Sequence, residues 1–548
     1  MEKRLVLAIA LSFLVLVLYQ AIFLRNRPQP EEPAALPQKP VELEEIAPAL
    51  KQPEAKKESL PVLPAEVEEA RAQAEEQVIV ETSLYQAVWS NRGASLRSWT
   101  LKTHRDDNGE DLELVSGRAV QAGKYPFFLE TQDPELDLAA NDSLYVPSVF
   151  RLNLRDGEKG EVKFYYSDGN TITIEKIFVF TGGTYAFDVR MSVWKDGREV
   201  EPRLLWGPGI GNPLPSDKRH QFGGGSGVAV LAANRVYRLD ERKVKPETSA
   251  VNFADWAAYE DNYMTALFLT PGQRGSARIQ QEGGDQQTAF FFLSVSRPER
   301  AYLGPKESGR LKEFGHGAKK IINFGFFGAI AEVLLVSIQF IHKYIPNWGF
   351  SIIILTLVIK ILFFPLTYSS TKSMAKMQEL QPKIKALRAK YKKAKQDISQ
   401  RRQMNEEMMR LYKEHGINPA GGCLPILIQI PVFWGFFRLL VIGIEFRQSP
   451  FILWIKDLSV KDPYYVTPIL MGMTQFISQK MTPTSADPAQ ARIMLIMPVI
   501  MTVFFMNFQS GLVLYWLTNN VLQIGQQYIM NRMMGKKKRE AHGKKRKR

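Results

Sequence analysis

The sequence predicts a polytopic α-helical membrane protein of six transmembrane helices carrying a large β-sandwich domain outside the bilayer. Three observations lead there. Apolar runs long enough to cross a bilayer stand near the start of the chain and recur after residue 348. Between them, residues 78–305 alternate short β-branched and aromatic runs with turn signals. The formal charge of +15 lies in two blocks, about +8 over residues 372–415 and about +9 over 532–548, with the remainder near neutral.

In chain order, residues 5–24, LVLAIALSFLVLVLYQAIFL, follow Lys3 and Arg4 and lack a small-x-small cleavage site before Arg25. Residues 1–25 therefore read as an uncleaved transmembrane anchor. Residues 26–77 turn to Pro, Glu, Ala and Gln with little to bury, as a disordered tether does. The β-domain follows over 78–305, with strand signals such as VKFYY before SDGN and a long run before TGGT. Trp206, Trp256 and Tyr263 fit core packing, with a ligand cleft as the other use.

Residues 318–345 are long enough to span. Lys319, Lys320, Asn323, Glu332, Gln339, His342 and Lys343, however, interrupt or flank the apolar face. A seventh span there would put the two basic blocks on opposite sides of the membrane. An interfacial amphipathic helix on the outer surface avoids that. The second span is then 349–371, and spans three to six lie within 418–532. Between them, 372–415 forms a cytoplasmic helical hairpin turning near 394–397. Met377, Leu380, Ile384 and Leu387 face Ile398, Met408 and Leu411 across it. Its basic side chains, Lys383, Lys385 and Arg388 among them, suit anionic lipid headgroups or nucleic acid, or form a solvated face. Lys536, Lys537 and Lys538 stand in a basic cytoplasmic tail, 533–548, where the positive-inside rule alone is an adequate explanation.

Catalytic signals are missing. The single cysteine, Cys423, permits no intrachain disulfide or cysteine-built metal site, and suits apolar packing. Six scattered histidines make no HExxH, no phosphate-binding loop occurs, and GGGSG at Gly223 is followed by Val228 rather than completing GxSxG. No catalytic residue, metal or cofactor is expected, and the chain reads as no enzyme. His104 and His220, the two histidines of the β-domain, offer little for a carbohydrate-acting acid–base pair.

The candidate site is organised around Lys360, set near the middle of the second span, about 16 Å from either end of a straight helix. A charge there is costly and should face other helices or a hydrated cavity. Thr356 lies four residues earlier on the same face. Tyr515, Asn519, Gln523 and Gln526 make a polar stripe on the last span, and Thr467, Thr474 and Ser478 a weaker one on the fourth. Such stripes fit either cavity walls or interhelical hydrogen bonds. The third span carries Gly421, Gly422, Pro425, Gln429 and Pro431, which open its backbone. Arg438 lies near that span's outer end, within snorkelling reach of the interface.

Four strings carry a family resemblance: NWGFSIII at Asn347, NPAGGCLPILIQIPVFWGFF at Asn418, DPYYVTPILMGMTQFISQKMTP at Asp462, and MPVIMTVFFMNFQSGLVLYWLTNN at Met497. Together they resemble the bacterial YidC membrane protein insertases, relatives of the mitochondrial Oxa and chloroplast Albino proteins. The resemblance implies a five-helix core in the cell inner membrane, both termini cytoplasmic, and a periplasmic domain of β-supersandwich type. It also implies a hydrophilic groove, open to cytoplasm and lipid, with Lys360 as its charge and Thr356, Gln429, Tyr515, Asn519 and Gln523 as its polar wall. An apolar slide for the incoming segment then falls on Ile426, Ile430, Phe433, Met497, Met501, Phe504 and Phe505. Implied partners are nascent membrane proteins, the Sec translocon, the ribosome and anionic lipids, with no DNA. The sequence departs from the family in having lysine where the groove charge is usually arginine, and Gln509 in place of the proline that commonly precedes SGLVLYW. A secondary transporter or channel built on the intramembrane lysine is the alternative.

Overall fold

The computed structural model describes residues 68–106, 108–211, 226–240, 249–270, 275–283, 290–391, 397–416, 424–481 and 488–546. The anchor and nearly all of the tether lie outside the described residues.

Alternating sequence drives the β-domain. In Ile172–Thr181, ITIEKIFVFT, the side chains of Ile174, Lys176, Phe178 and Phe180 turn to the core while those between them are less buried. Among the described residues such strands form three sheets around one apolar core. The first holds Gln77–Glu81, Tyr85–Ser90 and Ser95–Arg105 in an antiparallel meander, and Arg151–Asn153 returns to pair in parallel beside Gln77–Glu81. In the large sheet, Ile172–Thr181 lies between Lys159–Ser167 and Ala186–Lys195, and Arg300–Pro305 joins the latter to Met264–Leu269. The third pairs Ser276–Glu282 with Phe290–Ser296 and brings in Arg203–Trp206. Trp89 is fully buried, with ring centroids 4.3 Å from Phe178 and 4.8 Å from Phe127. Trp206 and Trp256 are also fully buried and Tyr263 nearly so, which makes them core residues. Short helices decorate the domain, among them α1 (Arg118–Ala122), α2 (Pro134–Asp142) and α3 (Ser308–Phe314).

The segment expected as one helix over 318–345 is instead a 3-10 turn at Ala318–Ile321 and a separate helix, α4 (Gly328–Tyr344). Gly325, with φ of 74°, donates its N–H to the Asn323 side-chain oxygen, and that turn breaks the helix. Ala331, Leu334, Leu335 and Ile338 of α4 are buried, whereas Val333, Val336, Phe340 and Tyr344 stand exposed. The segment expected as the second span is also divided, into α5 (Trp348–Leu362) and α6 (Phe364–Glu379), bent by 59°. Pro365 has no N–H and its ring crowds the carbonyl four residues earlier, so a straight helix cannot pass through Phe363.

Helices α9 (Leu424–Ile442), α10 (Val466–Met481), α11 (Pro488–Phe505) and α12 (Ser510–Arg546) follow. Among the described residues no single helix is long and apolar enough to cross a membrane, and only the bent α5–α6 pair together reaches that length and apolarity. Close approaches hold these helices. A Cβ on Gly472 of α10 would collide with the Thr502 hydroxyl of α11, and one on Gly435 of α9 would stand 2.9 Å from Ile330 of α4.

Helices α7 (Gln381–Lys390) and α8 (Ile398–Glu414) bury Leu380 and Ile384 against Met377, Met408, Leu411 and Tyr412. Ile398, expected in that seam, is instead 86% exposed, because it opens α8 beyond the packed stretch. Lys390 pairs with Glu407 at 2.8 Å across the hairpin. The turn residues 392–396 lie outside the described residues.

Candidate functional site

Helix α5 carries the lysine. Its first turn is capped by Asn347, whose side-chain oxygen accepts from the Phe350 N–H at 3.1 Å. Three turns on, the half-buried Lys360 donates from Nζ to the Gln523 Oε1 of α12 at 2.8 Å. An ammonium among apolar helices needs such an acceptor, since apolar side chains offer none.

The stripe on α12 continues one turn earlier at Asn519, whose Oδ1 accepts from Gln429 Nε2 of α9 at 2.9 Å. Gln429 also hydrogen-bonds the Tyr515 hydroxyl. The Tyr515 ring is buried and stacks on Phe436 with centroids 4.3 Å apart. Asn520, on the neighbouring face, donates to the Met471 carbonyl of α10 at 3.1 Å. Three helices thus meet α12 through polar side chains. Gln526 extends the stripe, its amide buried with no hydrogen-bond partner among the described residues.

Thr356 departs from expectation. It is buried and its hydroxyl donates back to the Ile352 carbonyl at 2.6 Å, so it serves its own helix rather than Lys360. A hydroxyl satisfied four residues back along its helix has no reason to turn outward. Arg438 does not simply snorkel to solvent: its guanidinium donates to the Asn323 carbonyl at 2.6 Å, ahead of α4.

Of the apolar candidates, Ile430 is exposed on α9, Phe433 packs edge-on to Trp516 with centroids 4.9 Å apart, and Phe505 meets the same Trp516 at 5.2 Å. Trp516 thereby joins α9 to α11. Phe504 packs on Phe508 at 4.8 Å, Met501 is partly buried against the same core, and Met497 is half-buried. Around them Val499, Ile500 and Val503 of α11 remain exposed, so the helices keep an uncovered apolar surface. Gly421, Gly422 and Cys423 lie outside the described residues, as do the side chains of Ile426, Lys536, Lys537 and Lys538. In the hairpin Lys385 and Arg388 are exposed, and Lys383 lies 3.1 Å from the His415 ring. Among the described residues no cluster of three or more His, Cys, Asp or Glu side chains could hold a metal.

Sequence reasoning overlooked Lys176. It is fully buried in the β-domain, where it donates to the Gly93 carbonyl at 2.6 Å and the Phe127 carbonyl at 2.8 Å, and burial lowers its ammonium to about 7. Its signal was visible as a lysine on the apolar face of an alternating strand.

The fold is thus a β-rich domain followed by apolar helices that meet through polar side chains, Lys360 and the stripe on α12 among them. Residues 77–337 match the YidC periplasmic domain family and residues 340–538 the 60Kd inner membrane protein family. The chain belongs to the YidC family. It is similar to the membrane protein insertase YidC of Syntrophus aciditrophicus, 37% identical over 561 residues that cover 97% of this chain and 100% of that one. It is also similar to the namesake of Geobacter sp. strain M21, 38% identical over 470 residues, 83% of this chain and 85% of that one. Among solved structures it is similar to an active YidC insertase crystallised with its first transmembrane domain resolved, with a TM-score of 0.36, 20% identity, and coverage of 85% of this chain and 95% of that one.

Proposed function

We propose that this protein inserts nascent membrane proteins into the cell inner membrane through a hydrophilic groove centred on Lys360. The observation that carries the reading is the Lys360–Gln523 hydrogen bond, 2.8 Å long, set among apolar helices in a chain of this family. On this reading six spans place both termini and the basic hairpin in the cytoplasm and the β-domain in the periplasm. Five of the spans form the core. The polar wall comprises Gln429, Asn519, Gln523 and, where the helices part, Tyr515.

A nascent segment arrives at the cytoplasmic face with a short polar tail. The stripe on α12 shortens the apolar distance that tail must cross, and Lys360 attracts its carboxylates by a charge strengthened away from bulk water. The apolar part then leaves along α9 and α11, past Ile430, Phe433, Met501 and Phe504. It is drawn by roughly 25 cal/mol per Å² of apolar area removed from water. Flexible methionines suit a surface that accepts many sequences. No chemical bond changes, so no catalytic group is required. The Sec translocon is a partner for larger substrates, and the basic hairpin and tail meet ribosomes and anionic lipids.

The test is insertion of a small two-span protein with an acidic translocated region into liposomes containing the purified chain. Wild type and Lys360→Arg should insert it, and Lys360→Glu should fail. Equal insertion by all three would make Lys360 structural. Solute flux without insertion would replace this reading with a transporter.

A further inference from the structure

Where the β-rich domain meets the helices, a cleft of about 560 Å³ opens whose chemistry the insertion reading does not use. Its walls include His104 at the end of a strand, Glu307 and Arg310 at the start of α3, Trp348 at the start of α5, and Glu445 and Arg447 in the loop after α9. Much of the charge there is matched. Arg310 donates to Glu307 at 2.8 Å and to the Gly183 carbonyl at 3.1 Å, and Arg105, at the edge, pairs with Asp111. Burial together with Arg447 and Arg310 lowers His104 to about 4, so at neutral pH its ring is uncharged.

Two groups are left over. The Nη1 of Arg447 is buried with no hydrogen-bond partner among the described residues, its guanidinium lying 5.9 Å from the Tyr263 ring. Glu445 accepts from Gln339 Nε2 at 2.9 Å, and burial with Glu307 nearby holds its carboxyl above the usual range. They sit two positions apart in one loop, opposite in sign, without forming an ion pair. A cation lacking its acceptor and a carboxyl lacking its cation, lining one cleft, suit a ligand that carries both charges.

The surroundings indicate which ligand. His342 stacks on Trp348 with centroids 3.8 Å apart, and Phe340, Tyr344 and Phe350 stand exposed at this same end of α4 and α5. Such a collar of aromatics belongs at the boundary between bilayer and water. We infer that the cleft seats the headgroup of a phospholipid bearing a phosphate and a primary ammonium, with the phosphate on Arg447 and the ammonium at Glu445. Trp348 and Ile444 supply the apolar part of its lining. The inference rests on the proposed orientation, which puts this end of α4 and α5 at the outer membrane surface.

The test reconstitutes the full chain in nanodiscs holding equal amounts of phosphatidylethanolamine, phosphatidylglycerol and phosphatidylcholine, then counts retained lipid by native mass spectrometry. Wild type should retain phosphatidylethanolamine over both others. Arg447→Gln should lower retention of all three about tenfold, the loss of one charge-assisted hydrogen bond, and Arg447→Lys should recover part of it. Glu445→Gln should abolish the preference for ethanolamine over glycerol without abolishing retention. Wild-type retention and preference in both neutral variants overturns the site, and equal retention of the three lipids by wild type overturns the headgroup assignment. Displacement of the lipid by millimolar glycylglycine overturns the choice of a lipid. Should Arg447→Gln misfold, the Glu445→Gln preference decides alone. Insertion measured in the same discs separates the two readings: selective lipid without insertion removes the insertase reading and keeps this one, and insertion without selective lipid does the reverse.

Discussion

Lys360 and Lys176 solve the same problem in two ways. Lys360 directs one donor to the Gln523 amide among apolar helices, and Lys176 directs two to backbone carbonyls inside the β-domain. Gln523→Leu would leave the Lys360 ammonium without that acceptor, a cost of about 1–3 kcal/mol, seen as a lower melting temperature in detergent. Gln523→Glu should instead keep the fold, pair with the ammonium, and weaken insertion of acidic-tailed substrates more than neutral-tailed ones. Unchanged insertion in Gln523→Glu would argue against electrostatic capture. For Lys176, burial sets the folded value at about 7 against 10.5. The unfolded chain therefore holds the extra proton between those values, so stability rises with pH across that window and is flat below it. Urea midpoints from tryptophan fluorescence should show that rise in wild type and lose it in Lys176→Met.

Among the elements, the helices are held by close approach more than by length. Gly472 leaves no room for a Cβ beside Thr502, so Gly472→Val should push α10 from α11 and cost about 1–3 kcal/mol, read as a lower melting temperature and poorer yield. Gly472→Ala should be milder, and wild-type behaviour in both would show that the helices can slide apart freely. The bend after Lys360 is another such device. Apolar composition over 349–371 suggested one continuous span, because hydropathy records what a segment touches and not its direction. Likewise the charges within 318–345 were legible, but the turn at Gly325 that limits α4 depends on the Asn323 side chain reaching a backbone N–H.

At the scale of the whole molecule, the basic tail and hairpin test a long-range role. Deleting residues 536–548 should weaken ribosome binding and flatten its dependence on salt, since a chain with fewer cations neutralises fewer phosphates and releases fewer counterions. Sedimentation at rising salt checks this, and binding that is unchanged by the deletion and insensitive to salt would remove the tail from docking. The family, a β-rich domain ahead of a helical region, and the lysine among apolar residues were legible in the sequence alone. Periodicity, composition and motif strings act over a few residues and need no knowledge of where the chain returns. Tertiary structure decided the partners. Gln523 lies 163 positions from Lys360 and Asn519 lies 90 from Gln429, and which amide meets which depends on how the helices cross. The same holds for Thr356, turned to its own helix, and for Arg447 and Glu445, whose unmatched charges appear only once a strand end, two helices and a loop share one cleft. Side-chain pairing across a fold is set by packing geometry, which no local pattern encodes.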